Sequence, residues 1–283
     1  MVTLPNPEDS VPFGSIRHRP WAEVPPDFAI GLRPIAADAW LEGGEPDPAS
    51  RKDRLFETRR EAAWAETDGS RPGQAEILSL VERVAEVEAR PDLPPLQAAA
   101  RAVADDLCLM ERRRGAWTLT ALSLCAGTFF TAGEVIGKPL SELHAPVPGF
   151  DERFAPRVVR IFDALRPEAI LERRNWTVMA GDDLFAPDGE AIRARLGRVL
   201  AEQAGEALFV RVERQTIRKL PATGGIVFTI RVWRHALAAL DAEPGLRAAF
   251  ARAWRGASPD FRRYKRLALY DPLVEAFLAA RGE

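Results

Sequence analysis

Two long β-forming runs, ALFVRVERQTIRKL and GGIVFTIRVW, stand either side of a short segment from Pro221 to Gly225. Residues of one strand face alternate with period two, and proline and glycine are the turn residues of hairpins, so this stretch predicts two antiparallel strands. Two further segments read as strands: WTLTALSLCAGTFF, rich in β-formers and without charge, and ILERRNWTVM.

The rest of the chain is largely helical in pattern. EILSLVERVAEVEA spaces Ile77, Leu78, Val81, Val84 and Val87 at three- and four-residue intervals, and Arg90-Pro91 and Leu93-Pro94-Pro95 stop it. A second helix is expected over Leu96 to Met110. Thr131 with Glu134 three residues later forms a capping-box pattern, and Gly137 suits a helix end. FDERFAPRVVRIFDAL predicts an amphipathic helix with Phe154, Val158, Ile161 and Leu165 on the face that covers the sheet, GEAIRARLGRVLAEQ another helix, and residues 235–254 and 271–280 the closing ones. Helices, a strand, more helices and then antiparallel strands give an α+β order, without the alternation that a parallel doubly wound sheet needs.

At 283 residues the chain is near the upper limit for one hydrophobic core, and one decorated domain is preferred to two small ones. The proline-rich residues 1–34 read as an extended N-terminal arm. A formal charge of -2 gives no global field for nucleic acid or an anionic membrane, and the run Arg112, Arg113, Arg114 reads as a solvated face or helix end. Two cysteines, Cys108 and Cys125, are too few for a disulfide framework or a four-cysteine cluster, which suits a reducing cytoplasm. No basic leader precedes an apolar run and no stretch of about 18 apolar residues occurs, so neither export nor membrane spanning is expected. Rossmann, Walker, nucleophile-elbow and zincin motifs are absent.

The chemistry-bearing candidates are few. His18, in the arm, and His235, at a strand end, read as structural or solvated. His144 sits in LHAPVPGF, where Pro146 and Pro148 restrict the backbone and would hold an imidazole in a fixed direction, as an iron ligand needs; on the residues alone the ordinary loop histidine is the preferred reading. Alternation along VRVERQTIRKLP puts Arg211 and Glu213 on one face. A covered face would require these charges to be paired or to meet a charged ligand, with Glu213 suited to an ammonium; the plainer arrangement is an Arg211–Glu213 pair, or cross-strand pairs with Arg231, on an open face. Arg174, Arg218 and Arg231 are candidates for carboxylate contacts or are simply solvated. Cys125 is a packed core thiol or a thiolate ligand. Trp117, Phe129, Phe130, Trp176, Phe228 and Trp233 are expected to pack the core or line a pocket.

Three ordered blocks, WTLTALSLCAGTFFTAGEVIGKPLSELHAPVPGF, RRNWTV and VRVERQTIRKLPATGGIVFTIRVW, resemble the haem-dependent oxidative N-demethylase alpha-subunit-like family, with a fainter echo in GLRPI, Trp40 and RLFETRR; the resemblance spans roughly residues 31–240. It implies a PAS-like antiparallel sheet core with additional N- and C-terminal helices, in a single haem-binding domain over 35–283. It implies haem b, and oxidative N-demethylation of a small secondary amine such as dimethylamine, with dioxygen and two electrons consumed and formaldehyde released. It implies a partner reductase subunit using NADPH, flavin and an iron–sulfur centre. Carried over by motif, His144 in the family's His-x-Pro-Val-Pro phrase is the expected axial ligand and Glu213 the expected amine-binding residue. Arg211, Arg218 and Arg231 are expected at the haem propionates or pocket. Gly127 departs from the proline expected in many relatives, and Val178 to Pro187 defines no substrate pocket. The competing expectation is a non-catalytic PAS-like haem or small-ligand sensor.

Overall fold

In a computed structural model the protein is described over residues 16–23 and 27–283; the parts of the expected arm at 1–15 and 24–26 lie outside the described residues. Seven strands form one antiparallel sheet among them: β1 Arg33–Ile35, β2 Trp64–Glu66, β3 Asp106–Arg113, β4 Ala116–Ser123, β5 Ile170–Ala180, β6 Leu208–Lys219 and β7 Ile226–Ala236, in the order β1-β5-β6-β7-β3-β4-β2. With its helices this is the expected α+β class.

The β6–β7 hairpin forms where its sequence predicts. Leu220 N donates to Gly225 O (2.8 Å), and Gly224 takes a positive φ of 73° that only glycine adopts without strain. The turn is pinned from outside by Glu76, which accepts from the amides of Ala222 (2.6 Å) and Thr223 (2.9 Å). The expected helix over Leu96–Met110 is instead a short helix, Pro95–Arg101, followed by β3. β3 is paired on both sides, to β4 and β7, and Leu107, Cys108, Leu109 and Met110 are all buried. A strand covered on both faces loses its alternation and cannot be told from a buried helix by pattern. The turn that ends it, Arg114-Gly115, has positive φ at both residues (50° and 83°), the geometry of a tight hairpin turn, but lacks the usual Asn-Gly or Asp-Gly signature. Arg112, Arg113 and Arg114 therefore lie exposed at a hairpin end.

Helix boundaries also differ. The helix expected from Glu76 onward runs over Arg71–Val81, entered through Pro72 in its first turn, and stops before Val84 and Val87. The Phe154 segment is two helices, Phe150–Arg153 and Ala155–Ala164, and its buried contact is Phe162, edge-on to Trp117 at 5.4 Å, rather than the stripe of Phe154, Val158 and Ile161. At Thr131 the reciprocal capping box is present. Phe129 (51% exposed) and Phe130 (38%) do not join the core: the loop leaving β4 turns them outward, with Phe129 at φ 69°.

The chain divides into two compact units. One comprises residues 30–173 and 214–231, the other 174–213, 232–283 and the described residues of 10–29, so that β5 changes unit after Arg173, β6 after Glu213 and β7 after Arg231. The second unit is built on aromatics, with Trp176 packed among Trp21, Phe250, Trp254 and Phe261. The first packs Trp40, Phe56, Trp64, Ile77, Leu96 and Leu109 in one core, and also encloses charge. Arg214 of β6, 1% exposed, donates through Nε to Glu172 (2.5 Å) and through its terminal nitrogens to the carbonyls of Trp40 (3.0 Å) and Ala39, with Glu42 at 3.3 Å. This one guanidinium fixes the irregular 39–42 segment onto the sheet. Nearby, the fully buried Lys52 donates to the backbone carbonyl of Asp105 (2.5 Å), while neither carboxylate oxygen of buried Asp105 has a hydrogen-bond partner. Burial pushes the Asp105 carboxyl up to about 6, against the pull of Arg231, Arg214 and Lys52.

Arg214→Met takes the Nε contact from Glu172, leaving it the contact with Arg33, and removes the donors to the carbonyls of Trp40 and Ala39; it is expected to cost about 3–5 kcal/mol in denaturant unfolding, and adding Glu172→Leu should cost less than the sum of the single changes. Asp105 supplies a pH test. Its folded value of about 6 exceeds the ordinary 3.8, so the native protein holds the extra proton and stability falls as pH rises through that window. At about 1.4 kcal/mol per pKa unit the group removes about 3 kcal/mol by neutral pH. Urea unfolding should show that decline, and Asp105→Asn should flatten it; an unchanged slope in the variant contradicts the assignment.

Candidate functional site

His144 is placed by the edge of β4. Leu119 N donates to Lys138 O (3.0 Å), Gly137 N donates to Leu119 O (2.9 Å), and Thr118 bridges to Pro139. Gly137, at φ 76°, makes the reversal that lets the chain run back along the strand. Pro139 then opens the helical turn Leu140–Leu143, and His144 closes it with its amide directed to Leu140 O and Ser141 O. Val147 N donates to His144 O (2.8 Å), and Gly149 in the left-handed region (φ 66°) brings Phe150 under the ring. The imidazole stacks on Phe150 with centroids 4.3 Å apart and planes 10° from parallel.

The chemistry of this imidazole follows from its partner. Nδ1 lies 2.9 Å from Leu140 O, and a carbonyl only accepts, so Nδ1 carries the hydrogen and Nε2 keeps its lone pair. Burial pushes its pKa below the ordinary histidine value; the bond to Leu140 opposes this and Arg173 adds to it. A neutral ring, oriented by a backbone carbonyl and a stacked aromatic and presenting Nε2, is the arrangement of a metal-ligating histidine.

The other ligand candidates lack this preparation. Cys125 is fully buried, with its thiol pushed up to about 12 chiefly by burial, and its amide serves the core by donating to Asp106 (2.7 Å). His18 is buried edge-on to Trp233 at 5.9 Å. His235 is pushed down to about 4 by burial, with His18 and Arg234 adding to the effect.

Glu213 and Arg211 belong to the second unit and are neighbours on one face, as the alternation predicts: Arg211 Nε lies 3.9 Å from Glu213 Oε1. Arg211 is buried and donates to Leu184 O (3.1 Å), whereas Glu213 is partly open and accepts from Asn175 Nδ2 (3.4 Å). A partly open carboxylate held by an amide and a guanidinium can take an ammonium group. Arg231 and Arg218 belong to the first unit. Arg231 is 3.8 Å from Glu45, and burial lowers its pKa against Asp105 and Glu45. Arg218 lies over the Trp40 ring, 4.9 Å from the centroid. No hydrogen bond, ion pair or ring contact joins His144 to Arg218 or Arg231 among the described residues. Arg174 makes an exposed contact with Glu23 (3.2 Å).

Asp105 and Lys52 are not singled out by the sequence reading, although the adjacent acids in AVADDLCLM were the signal, since two carboxylates inside an apolar run must be buried with partners or titrate abnormally. Gly127 has a local reason: a Cβ there would stand 2.6 Å from Leu124 Cδ1, a side chain only 1% exposed. A shallow concavity in the second unit, lined by Ala191, Ala194, Arg195, Arg198, Val199 and Gln203, contains none of the candidate residues.

Among the described residues no group of three or more histidine, cysteine or acidic side chains is placed to hold a metal ion, and no helix is long and apolar enough to cross a membrane. A haem asks less, namely one axial donor and cations for its propionates. The Nε2 of His144, and Arg218, which has no acidic partner among the described residues, are donors of the required kinds. No curated protein matches the chain. The family model of the haem-dependent oxidative N-demethylase, alpha subunit-like, matches residues 65–274, about three-quarters of the chain. That match starts after the N-terminal echo and extends through the C-terminal helices, beyond the span the motifs suggest. On this match the chain belongs to the haem-dependent oxidative N-demethylase alpha subunit-like family.

Proposed function

We propose that the chain is the haem b-binding oxygenase subunit of a cytoplasmic oxidative N-demethylase with a PAS-like core. It acts on a small secondary amine such as dimethylamine, and a partner reductase carrying NADPH-derived electrons through flavin and an iron–sulfur centre supplies it. The observation that carries this reading is the state of His144: a neutral imidazole oriented by Leu140 O and Phe150, with Nε2 available. The alpha-subunit designation of the family supports a partner subunit, and the two buried free thiols suit a reducing compartment.

Haem, when bound, supplies the reductive activation of dioxygen. In the overall reaction one oxygen atom enters a methyl C–H bond of the amine and the other leaves as water, with two electrons and two protons taken up. The hydroxymethyl amine then loses formaldehyde by cleavage of its C–N bond, and nitrogen recovers the electron pair as the shorter amine. The chain's own residues bind and orient. Glu213, with its carboxylate held by Asn175 and Arg211, draws the substrate in as an ammonium and accepts its proton when the free amine is needed. Arg211, Arg218 and Arg231 are the cations proposed for the propionates or the pocket.

The test is the haem-loaded full chain with a chemical reductant, dioxygen and dimethylamine, measuring formaldehyde. Amine-dependent release is expected. In Glu213→Gln, loss of a charged contact worth about 1.5–3 kcal/mol should raise KM roughly ten- to hundred-fold while the visible haem spectrum stays unchanged. Haem that binds but yields no formaldehyde from any methylated amine would contradict the oxygenase and favour a sensor.

A further inference from the structure

The buried and half-buried cations of the first unit nearly all have partners: Arg214 has Glu172, Arg231 and Arg51 share Glu45, Lys52 has the Asp105 carbonyl, and Lys219 donates to the carbonyls of Phe162 and Asp163. Arg218 has no such partner among the described residues. Its guanidinium lies over the indole of Trp40, its Nε is enclosed, and it makes no hydrogen bond or ion pair with any described residue. Trp40 is fully buried, and its Nε1–H also has no acceptor. Two enclosed N–H donors in one stacked pair, with no acceptor for either, are uncommon, because buried donors are almost always satisfied. Burial, and after it the positive charge of the exposed Arg83, lower the tendency of Arg218 to stay protonated.

We propose that Arg218, stacked on Trp40 and flanked by Arg83, forms a binding site for an oxyanion of the carboxylate or phosphate class. The planar guanidinium presents its open edge to two oxygens of such a group, and stacking on the indole fixes the plane of that edge. Arg83 supplies a second positive charge from the solvent side. Two sources share this chemistry: a propionate of a bound haem, in which case the inference rests on the function proposed above, or a free anion. Trp40 serves as the reporter, since its N–H lies in the stacked pair.

The experiment is ¹H–¹⁵N NMR of the full chain, following the Trp40 indole N–H, assigned with Trp40→Phe, and the Arg218 Nε–H. Inorganic phosphate is titrated at constant ionic strength against chloride, with and without haem. Saturable shifts of both signals with phosphate in the haem-free protein are expected. They should vanish in Arg218→Gln, and in Arg83→Gln the affinity should fall about five-fold, the scale of one exposed charge. If haem itself moves both signals and abolishes the response to phosphate, the anion is a propionate; if the response survives haem loading, the site takes a free anion. Signals that follow ionic strength alone and do not move with haem overturn the site, and that result needs no variant to fold. Haem that binds while both signals stay unmoved by haem and by phosphate sinks the site and leaves the haem reading standing, whereas a phosphate response in a chain that takes up no haem does the reverse.

Discussion

A guanidinium enclosed within a β-sheet is tolerated only if every one of its donors is met, and in the first unit that condition organises the chain around Arg214. Its fork meets Glu172 of β5 and the carbonyls of Ala39 and Trp40, while Arg33 of β1 reaches the other oxygen of Glu172. Breaking such a set costs far more than its net contribution to stability, because the buried Trp40 carbonyl and one oxygen of buried Glu172 lose their donor. The irregular segment before the first long helix is therefore tied to the sheet by electrostatics as much as by apolar contact. Trp40, seated by that tie, is the platform on which Arg218 lies.

The same reasoning separates the charged residues by role. Charges that close on one another, such as Arg214 with Glu172 or Arg51 with Glu45, hold the fold. Two charged groups are not closed in this way: the Asp105 carboxyl, pushed by burial up to about 6, and Arg218, which lies over Trp40. His144 belongs with this second group through its available nitrogen. Membership of a family named for haem dependence supports the proposal that this nitrogen meets haem, which the histidine alone does not specify.

Much of the fold was legible because its signals are local. The β6–β7 hairpin carries its alternation and its turn residues within one stretch, and the capping box at Thr131 needs only four residues. β3 was misread because both of its faces are covered, so consecutive residues Leu107 to Met110 are buried and the alternation that marks a strand is lost. Phe129 and Phe130 were misread because aromatic character predicts burial only where the backbone turns inward. Of the proposed site residues, the shared face of Arg211 and Glu213 was legible from strand alternation, whereas His144 stood out only through its family phrase, since the prolines alone left it an ordinary loop histidine. The partners of Arg218 and Asp105 were not legible, since Trp40 and Lys52 approach them through tertiary packing, which no spacing rule encodes.

The central claim is that His144 Nε2 is the axial donor of a bound haem, and the most direct measurement is the visible spectrum of the full chain with haem, oxidised and reduced, for the parent, His144→Gly and Cys125→Ser. The account predicts a Soret band in the parent and in Cys125→Ser, with both keeping a histidine-ligated spectrum. It predicts a lost or shifted band in His144→Gly that returns towards the parent on adding free imidazole. A parent-like spectrum in His144→Gly without imidazole, or no haem band in any of the three proteins, would contradict it.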